Sequence, residues 1–371
     1  MEEEMIKSSM SQDVLDNENE IDDAAASEDN DSIYFSVSSY GADYTVDGLI
    51  KRLEKKQIVV PEFQRSYVWD IKKASRFIES LIIGLPVPGI FLSRDSLESS
   101  TSSMSSSLLI IDGQQRLQSL QRFYKGFFGE KKFRLSGVCD ELNGKAYDEL
   151  SLDDQSRLDD AIIHATIIKQ EVPDKDNSSI YLVFERLNTG GMLLQPQEIR
   201  ACIYHGEFNN LLNTLVLTPS WRSLFKKESS RMKEQELVLR FFALYYKHNE
   251  YKKGLKHLLN TFMSDNRDLQ LYSRELLTKL FVNSLNLIVS AKGNEAFKRG
   301  PAINAALFDS IMIGVATRLQ ESDMTKEECG RNYDLLISNS AFIENTSDST
   351  ADEKPLKERI RLSIEQFSNM Q

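Results

Sequence analysis

Five residues of mixed chemistry at one turn are the most informative of this sequence: Asp112, Gly113, Gln114, Gln115 and Arg116. They follow a short apolar run typical of a buried strand and precede apolar residues at helical spacing. A glycine between a strand and a helix exposes the first backbone N–H groups of the helix, which are unpaired donors at the positive end of its dipole. The turn is therefore suited to bind an anion, above all a phosphate.

The side chains of this turn suggest how a phosphate would be held. Arg116 lies one turn into the helix and can reach back with a bidentate guanidinium, while Gln114 and Gln115 supply neutral donors and acceptors. Asp112 would be repelled by a polyphosphate unless a Mg²⁺ ion, a positioned water or a ribose hydroxyl lies between them. The alternative is structural: Asp112 caps the helix and Arg116 pairs with a surface acid.

Two further polar segments have binding-type residues in loops. Gln64 and Arg65 directly follow a predicted short strand, a position where binding groups concentrate, although the aromatic residues around them are typical of a core. Asn188 and Gly190 belong to the segment FERLNTGG, which also fits a helix C-cap and a turn with positive φ.

Length, hydropathy and cysteine content limit the class of protein. A chain of 371 residues with 41% hydrophobic residues predicts two folded units. Its three cysteines are far apart, without the spacing of a zinc site or a disulfide framework, which is typical of a reducing compartment. The sequence lacks an apolar run of transmembrane length and a secretory leader, so we expect a cytoplasmic protein that does not enter a membrane.

The negative charge is concentrated at the amino terminus. Residues 1–32 contain twelve acidic residues and one lysine, which account for the whole formal net charge of -11. This segment has no aromatic residue and is predicted to be a disordered acidic tail, because it cannot bury enough apolar area to offset its ordering entropy. Its role is either to keep the protein soluble or to act as a DNA-mimicking lid or as a tether for a partner.

Hydrophobic periodicity divides the remainder into two parts. Short strands alternate with helices over residues 33–175, whereas residues 176–371 show helical spacing almost throughout, with no convincing strand after about residue 172. We therefore predict an α+β fold in which a small mixed-sheet α/β domain precedes a helical domain.

Several motifs together resemble a known family. The segments IVVPEFQRSYVWD, LLIIDGQQRLQSLQRFYKG and VFERLNTGGMLLQPQEIRACIYHG occur in the order and spacing of the domain-of-unknown-function family 262. That domain forms the amino-terminal half of GmrSD-type modification-dependent restriction enzymes and of related phage-defence proteins. The resemblance covers about residues 45–265 and implies a ParB/sulfiredoxin-like core that binds and hydrolyses a nucleoside triphosphate (NTP) with Mg²⁺.

The resemblance also implies roles for the polar segments. Residues 112–116 would form the phosphate-binding and catalytic turn, with Asp112 holding Mg²⁺ or the attacking water. Gln64 and Arg65 would contribute to the same pocket, and Asn188 and Gly190 would line it. Hydrolysis in such proteins is coupled to sensing modified or phage DNA and to control of a nuclease.

The chain departs from these restriction enzymes in one respect. Its four histidines show none of the spacing of an HNH nuclease, so we expect a separately encoded partner to cut DNA. From Trp221 to His257, ten lysines and arginines face four acids, which indicates either a contact surface for DNA phosphates or a solvated helical face. The leading hypothesis is an NTP-hydrolysing sensor or regulatory subunit in DNA restriction or phage defence. The alternatives are a non-catalytic DNA-binding scaffold that uses nucleotide as a conformational ligand, and a phosphotransferase; a homo-oligomer is left open.

Overall fold

A computed structural model describes residues 21–22, 36–60, 67–94, 107–172, 178–187, 195–225, 229, 231–252, 254–300, 302–347 and 350–368. Its internal contacts divide the chain into two compact units. The first unit is Tyr34–Leu194; the second is Gln195–Gln371 together with the amino-terminal segment. Within the acidic segment, the described residues are those of a two-residue strand, β1 (Ile21–Asp22). The predicted disorder of the rest of that segment falls on residues outside the described ranges.

The first unit is built on a five-stranded mixed sheet. Its strands are β2 (Ser36–Thr45), β3 (Ile58–Val59), β4 (Ile90–Arg94), β5 (Leu108–Asp112) and β8 (Ile162–Val172). Their order is β2-β8-β4-β5-β3; the β2–β8 and β4–β5 pairs are antiparallel, and the β8–β4 and β5–β3 pairs are parallel. Two further strands, β6 (Phe127–Phe128) and β7 (Lys131–Lys132), form a separate antiparallel pair.

Five α-helices accompany the sheet: α1 (Val46–Glu54), α2 (Ile71–Ile82), α3 (Gln114–Lys125), α4 (Leu152–Asp160) and α5 (Ser178–Leu187). Side-chain caps fix where the first two begin, because Thr45 accepts a hydrogen bond from the Gly48 N–H and Asp70 accepts one from the Lys73 N–H. Apolar faces of α1 to α4 join the sheet in one hydrophobic core, as their amphipathic spacing predicts.

The two faces of the sheet differ. Residues opposite each other on neighbouring strands project to the same face, so Leu92, Ile110 and Ile167 share the core face, where all three are buried. On the other face, Ile111 and Ile168 are buried outside that core, and α5 contacts both β5 and β8. The residues of this second face near the carboxyl end of β5 are more exposed.

The second unit is mainly helical. Its helices are α6 (Pro196–Ile203), α7 (Glu207–Leu215), α8 (Pro219–Leu224), α9 (Lys233–Lys247), α10 (Leu255–Asp265), α11 (Arg274–Lys292), α12 (Ala305–Glu321), α13 (Lys326–Ser338), α14 (Ser340–Asn345) and α15 (Glu353–Ser368). An aromatic cluster joins several of them, with the buried Trp221 ring against Phe225, Phe281 and Phe308. None of the described helices combines the length and apolarity of a bilayer span.

The α+β fold class is therefore confirmed. The expectation of no strand beyond residue 172 is wrong, because β9 (Lys298–Arg299) and β10 (Ala302–Asn304) form a small sheet with β1, in the order β1-β10-β9. Strands of two and three residues are too short to show the alternation that identifies a strand in a sequence. Their partner β1 lies some 280 residues away along the chain, and local sequence patterns do not predict pairing between segments so far apart.

Candidate functional site

Gly113 makes the junction between β5 and α3 possible. It is the N-cap of α3 and has a left-handed backbone with φ 100°, a conformation that glycine adopts without strain. It is also crowded, because a Cβ atom built there would collide with the side chain of Ile90, a buried residue of β4. Gly113 has no side chain with which to cap the helix, and α3 begins directly after it, at the end of β5.

The two charged residues of the turn bind each other. The Nη2 atom of Arg116 lies 2.5 Å from Oδ2 of Asp112, across one helical turn. The Arg116 side chain is 14% exposed, whereas that of Asp112 is 50% exposed. The Nε–H of Arg116 is buried and has no hydrogen-bond partner within the described part of the chain. Arg116 is thus paired with Asp112 through Nη2, while its Nε–H has no partner among the described residues.

Gln115 has a structural partner. Its Oε1 atom accepts hydrogen bonds from the backbone N–H groups of Val68 (2.9 Å) and Trp69 (3.2 Å). One turn further along α3, the Ser119 hydroxyl lies 2.7 Å from the hydroxyl of Tyr67. The segment that resumes at Tyr67 is therefore attached to α3 by two side chains of that helix.

The structure places the predicted site residues as follows. Asp112, Gly113, Gln114, Gln115 and Arg116 lie together at the β5–α3 junction, as the sequence indicates. Gln64, Arg65, Asn188 and Gly190 lie outside the described residues, so their predicted place in the same pocket stays a prediction.

The turn fits Mg²⁺ only as part of a nucleotide complex. The described residues contain no group of three or more histidine, cysteine or carboxylate side chains arranged to hold a metal ion. Asp112 offers a single half-exposed carboxylate. Mg²⁺ is commonly held by one or two carboxylates together with substrate phosphates, so Asp112 suits an ion that arrives with its nucleotide.

Sequence reasoning missed one polar pair on the second face of the sheet. His164 and Asp43 are opposite each other on β8 and β2, and the imidazole Nδ1 lies 2.8 Å from Oδ1 of Asp43. His164 lies on β8, which begins at Ile162, and none of the site residues predicted from the sequence lies on this strand. The alternation of buried and exposed residues at Ile163, His164 and Ala165 was the available signal.

The basic stretch between Trp221 and His257 is less accessible than its sequence suggests. Arg240 is buried with Asp309, Arg231 is paired with Glu198, and Arg222 is paired with Glu234. Lys252 is exposed, and Lys233 and Lys256 are partly exposed. The cations suited to contact DNA phosphates are therefore lysines rather than these three arginines.

The family motif QPQEIR has a structural role in the second unit. Glu198 accepts a hydrogen bond from its own helix cap at the Gln195 N–H (2.6 Å) and pairs with Arg231. Arg200 is 2% exposed and donates to Asn260 (2.8 Å) and Glu236 (3.0 Å). These buried charges join α6 to α9 and α10, because each has a partner on another element.

Comparison with known proteins finds one family that resembles part of the chain. Residues 47–205 match the model of the family described as GmrSD restriction endonuclease, N-terminal domain. The match begins in α1, includes the β5–α3 junction and ends just beyond α6. No curated protein matches the chain. Residues 47–205 are therefore similar to the N-terminal domains of GmrSD restriction endonucleases, a likeness that points to a component of a DNA restriction or phage-defence system.

Proposed function

We propose that the chain binds and hydrolyses a nucleoside triphosphate at the β5–α3 junction, as the sensor or regulatory subunit of a restriction or phage-defence system. The observation that carries this proposal is the combination at one helix start of a left-handed glycine cap and the buried Nε–H of Arg116, which has no hydrogen-bond partner among the described residues. Helix starts of this kind bind phosphate, and a guanidinium adds charge-assisted hydrogen bonds.

The residues of the turn take separate roles in this proposal. Arg116 exchanges Asp112 for the phosphates, and Asp112 is then available to Mg²⁺ or to the attacking water. Mg²⁺ would supply neutralisation of the phosphate charge. Gln114 orients the water or the terminal phosphate, whereas Gln115 fixes the Tyr67–Trp69 segment through its two backbone contacts.

A titration with each of the four NTPs, with and without Mg²⁺, tests the proposal when phosphate release is measured in parallel. We expect saturable binding and Mg²⁺-dependent release. Arg116→Ala is expected to weaken binding roughly 10- to 100-fold, because a hydrogen bond to a charged group contributes about 1.5–3 kcal/mol. Arg361→Ala, which removes a surface arginine of α15 paired with Glu358 and Glu365, is the matched control.

The outcomes separate the competing functions. Binding without phosphate release, in the presence or absence of DNA, would identify a scaffold for which nucleotide is a conformational ligand. Transfer of the labelled phosphate to a protein or a small molecule would identify a phosphotransferase. Absence of binding to all four nucleotides would reject the site.

The proposal extends to DNA and to a nuclease partner. Because this sequence shows no HNH-type spacing of histidines, we assign cleavage to a separately encoded subunit. We assign the contacts with DNA phosphates to lysines of the basic stretch, of which Lys252 is exposed and Lys233, Lys247 and Lys256 are partly exposed. Changing two of them to glutamine should make the slope of log DNA affinity against log salt concentration shallower by about two. Each phosphate contact contributes roughly 0.9 to that slope. An unchanged slope would exclude these lysines as phosphate contacts.

A further inference from the structure

The His164–Asp43 pair holds an imidazole in one orientation on the surface of the sheet. Nδ1 of His164 lies 2.8 Å from Asp43 Oδ1, while the two side chains are 59% and 67% exposed. When a carboxylate accepts the Nδ1–H, the neutral ring has its lone pair at Nε2. That Nε2 atom has no hydrogen-bond partner among the residues that the structure describes. The pair therefore presents a hydrogen-bond acceptor to solvent.

Two glycines make room for His164. A Cβ atom at Gly41, on β2, would lie 2.7 Å from Cε1 of the imidazole. A Cβ atom at Gly89, directly before β4, would lie 2.7 Å from the backbone oxygen of His164. Glycine inside a sheet often marks a close approach by another group. The imidazole thus occupies the space that a side chain at Gly41 would fill and is held by Asp43, so the position of Nε2 is set by both neighbours.

The pair shares a sheet face with the phosphate-binding turn. Asp112 is opposite Phe91, Phe91 is opposite Thr166, and His164 precedes Thr166 by two residues on β8. Opposite residues project to the same face, as do residues two apart on a regular strand such as β8. The register of β4 against β5 shifts between Phe91 and Leu92, so the half-exposed Asp112 pairs with Phe91 and does not continue the core face of Ile110. Two strand spacings across the sheet, about 10 Å, and two residues along β8, about 7 Å, separate Asp112 from His164, so their backbones are about 12 Å apart. This separation is comparable with the extent of a nucleotide from its phosphates to its sugar.

We propose that His164, oriented by Asp43, accepts a hydrogen bond from a sugar hydroxyl of the NTP. This inference rests on the proposed function, because it assigns the other end of the same ligand. The nucleotide would extend from the first turn of α3 across Phe91 and Thr166, both partly exposed on this face. A sugar hydroxyl fits the Nε2 lone pair because it is a neutral donor, whereas a fully ionised phosphate offers only acceptors.

The test compares the affinities of a ribonucleoside triphosphate and its 2′,3′-dideoxy counterpart in wild type and variants. We expect wild type to prefer the ribonucleotide roughly three- to tenfold, the effect of one hydrogen bond. His164→Ala should abolish this preference while leaving dideoxynucleotide affinity unchanged. Gly41→Ala should reduce the preference, because the new methyl group displaces the imidazole. His257→Ala, an exposed histidine of the second unit, should retain it.

Each outcome decides a different claim. If His164→Ala keeps the full preference for the ribonucleotide, or weakens both ligands equally, the sugar contact is excluded while the phosphate turn stands. If wild type binds neither nucleotide, the proposed function and this inference both fail. Thermal unfolding of His164→Ala should match wild type, because the side chain is mostly exposed, and this comparison separates loss of the contact from loss of the fold.

Discussion

The carboxylate of Asp112 and the guanidinium of Arg116 form an ion pair of 2.5 Å across the first turn of α3. One of the two alternatives for Arg116 was pairing with a surface acid, and its partner is the acid of the same turn. The pair makes the net charge of the turn zero. Under the proposed function, a phosphate would therefore compete with Asp112 for the guanidinium. Removing the negative charge of Asp112 is therefore a direct test of this competition.

Asp112→Asn is therefore expected to have opposite effects on binding and on turnover. Removing the carboxylate eliminates repulsion and releases Arg116, so affinity for NTP without Mg²⁺ should rise about threefold or more, in line with a partly exposed ion pair of up to 1 kcal/mol. Phosphate release should fall, because the proposed ligand of Mg²⁺ or water is lost. Calorimetric titration and a phosphate assay measure the two effects. Asp47→Asn, which removes an exposed carboxylate paired with Lys51, is the control; a parallel fall of affinity and turnover in Asp112→Asn would contradict the competition.

Gly113→Ala should destabilise the first unit strongly. The left-handed backbone costs a non-glycine residue about 1–2 kcal/mol, and the new methyl group would also clash with Ile90, adding roughly 1–3 kcal/mol. Gly129 provides a matched control, since its φ is also positive, at 64°, and a Cβ atom there would meet nothing within 4 Å. Chemical denaturation of both variants separates the backbone effect from the clash. Equal losses in the free energy of unfolding at Gly113 and Gly129 would show that the Ile90 side chain can move aside without destabilising the fold.

Much of the first unit was predictable because local signals agree with the fold. The caps Thr45 and Asp70, the amphipathic spacing of α2 and the glycine between β5 and α3 each act within a few residues. Those signals also located the turn at which we propose that phosphate binds. The ion pair within the turn was not assigned, because an i,i+4 acid and base are equally able to bind separate partners.

Contacts between distant parts of the chain were not predictable. Asp43 and His164 meet because β2 pairs with β8, and periodicity in one segment carries no information about its partner strand. The buried pairing of Arg240 with Asp309 is a similar case, since the basic character of the stretch suggested a solvent-exposed surface. In both cases the partner of the side chain lies on an element that is far away in the sequence.

Alkaline pH should weaken the packing of α3 against α4. The Tyr147 hydroxyl donates to Asp159 (2.9 Å), and burial, followed by that hydrogen bond, raises the pKa of Tyr147 to about 12. The pKa of Tyr124, whose hydroxyl donates to the same carboxylate, is also raised, first by burial. A phenol whose folded-state pKa is raised stabilises the fold below its ordinary pKa of about 10, and this contribution is lost as the pH rises through about 12.

Tyr147→Phe tests this assignment. We expect a loss of about 1 kcal/mol at neutral pH, from the missing hydrogen bond, and a shallower decline of stability above about pH 10 than in wild type. Tyr40→Phe, at a tyrosine that is 43% exposed, is the comparison variant. The free energy of unfolding, measured by denaturant titration at several pH values, provides both quantities. A decline as steep in Tyr147→Phe as in wild type would assign the alkaline sensitivity to other groups.

The strongest effect on the second unit should come from the buried pair of α9 and α12. Arg240 Nη2 lies 2.7 Å from Asp309 Oδ2, with side chains 1% and 0% exposed, and Arg359 approaches the same oxygen at 3.6 Å. Arg240→Met leaves the carboxylate buried with its more distant partner, so we expect a loss of about 3–5 kcal/mol. Lys51→Met breaks a pair of the same 2.7 Å length on the surface of α1, 65% and 41% exposed, and should change stability by less than about 1 kcal/mol. Denaturant unfolding of the two variants compares two ion pairs that have the same N–O distance but differ in burial. A loss of under about 1 kcal/mol in Arg240→Met would mean that Arg359 alone is sufficient to compensate Asp309.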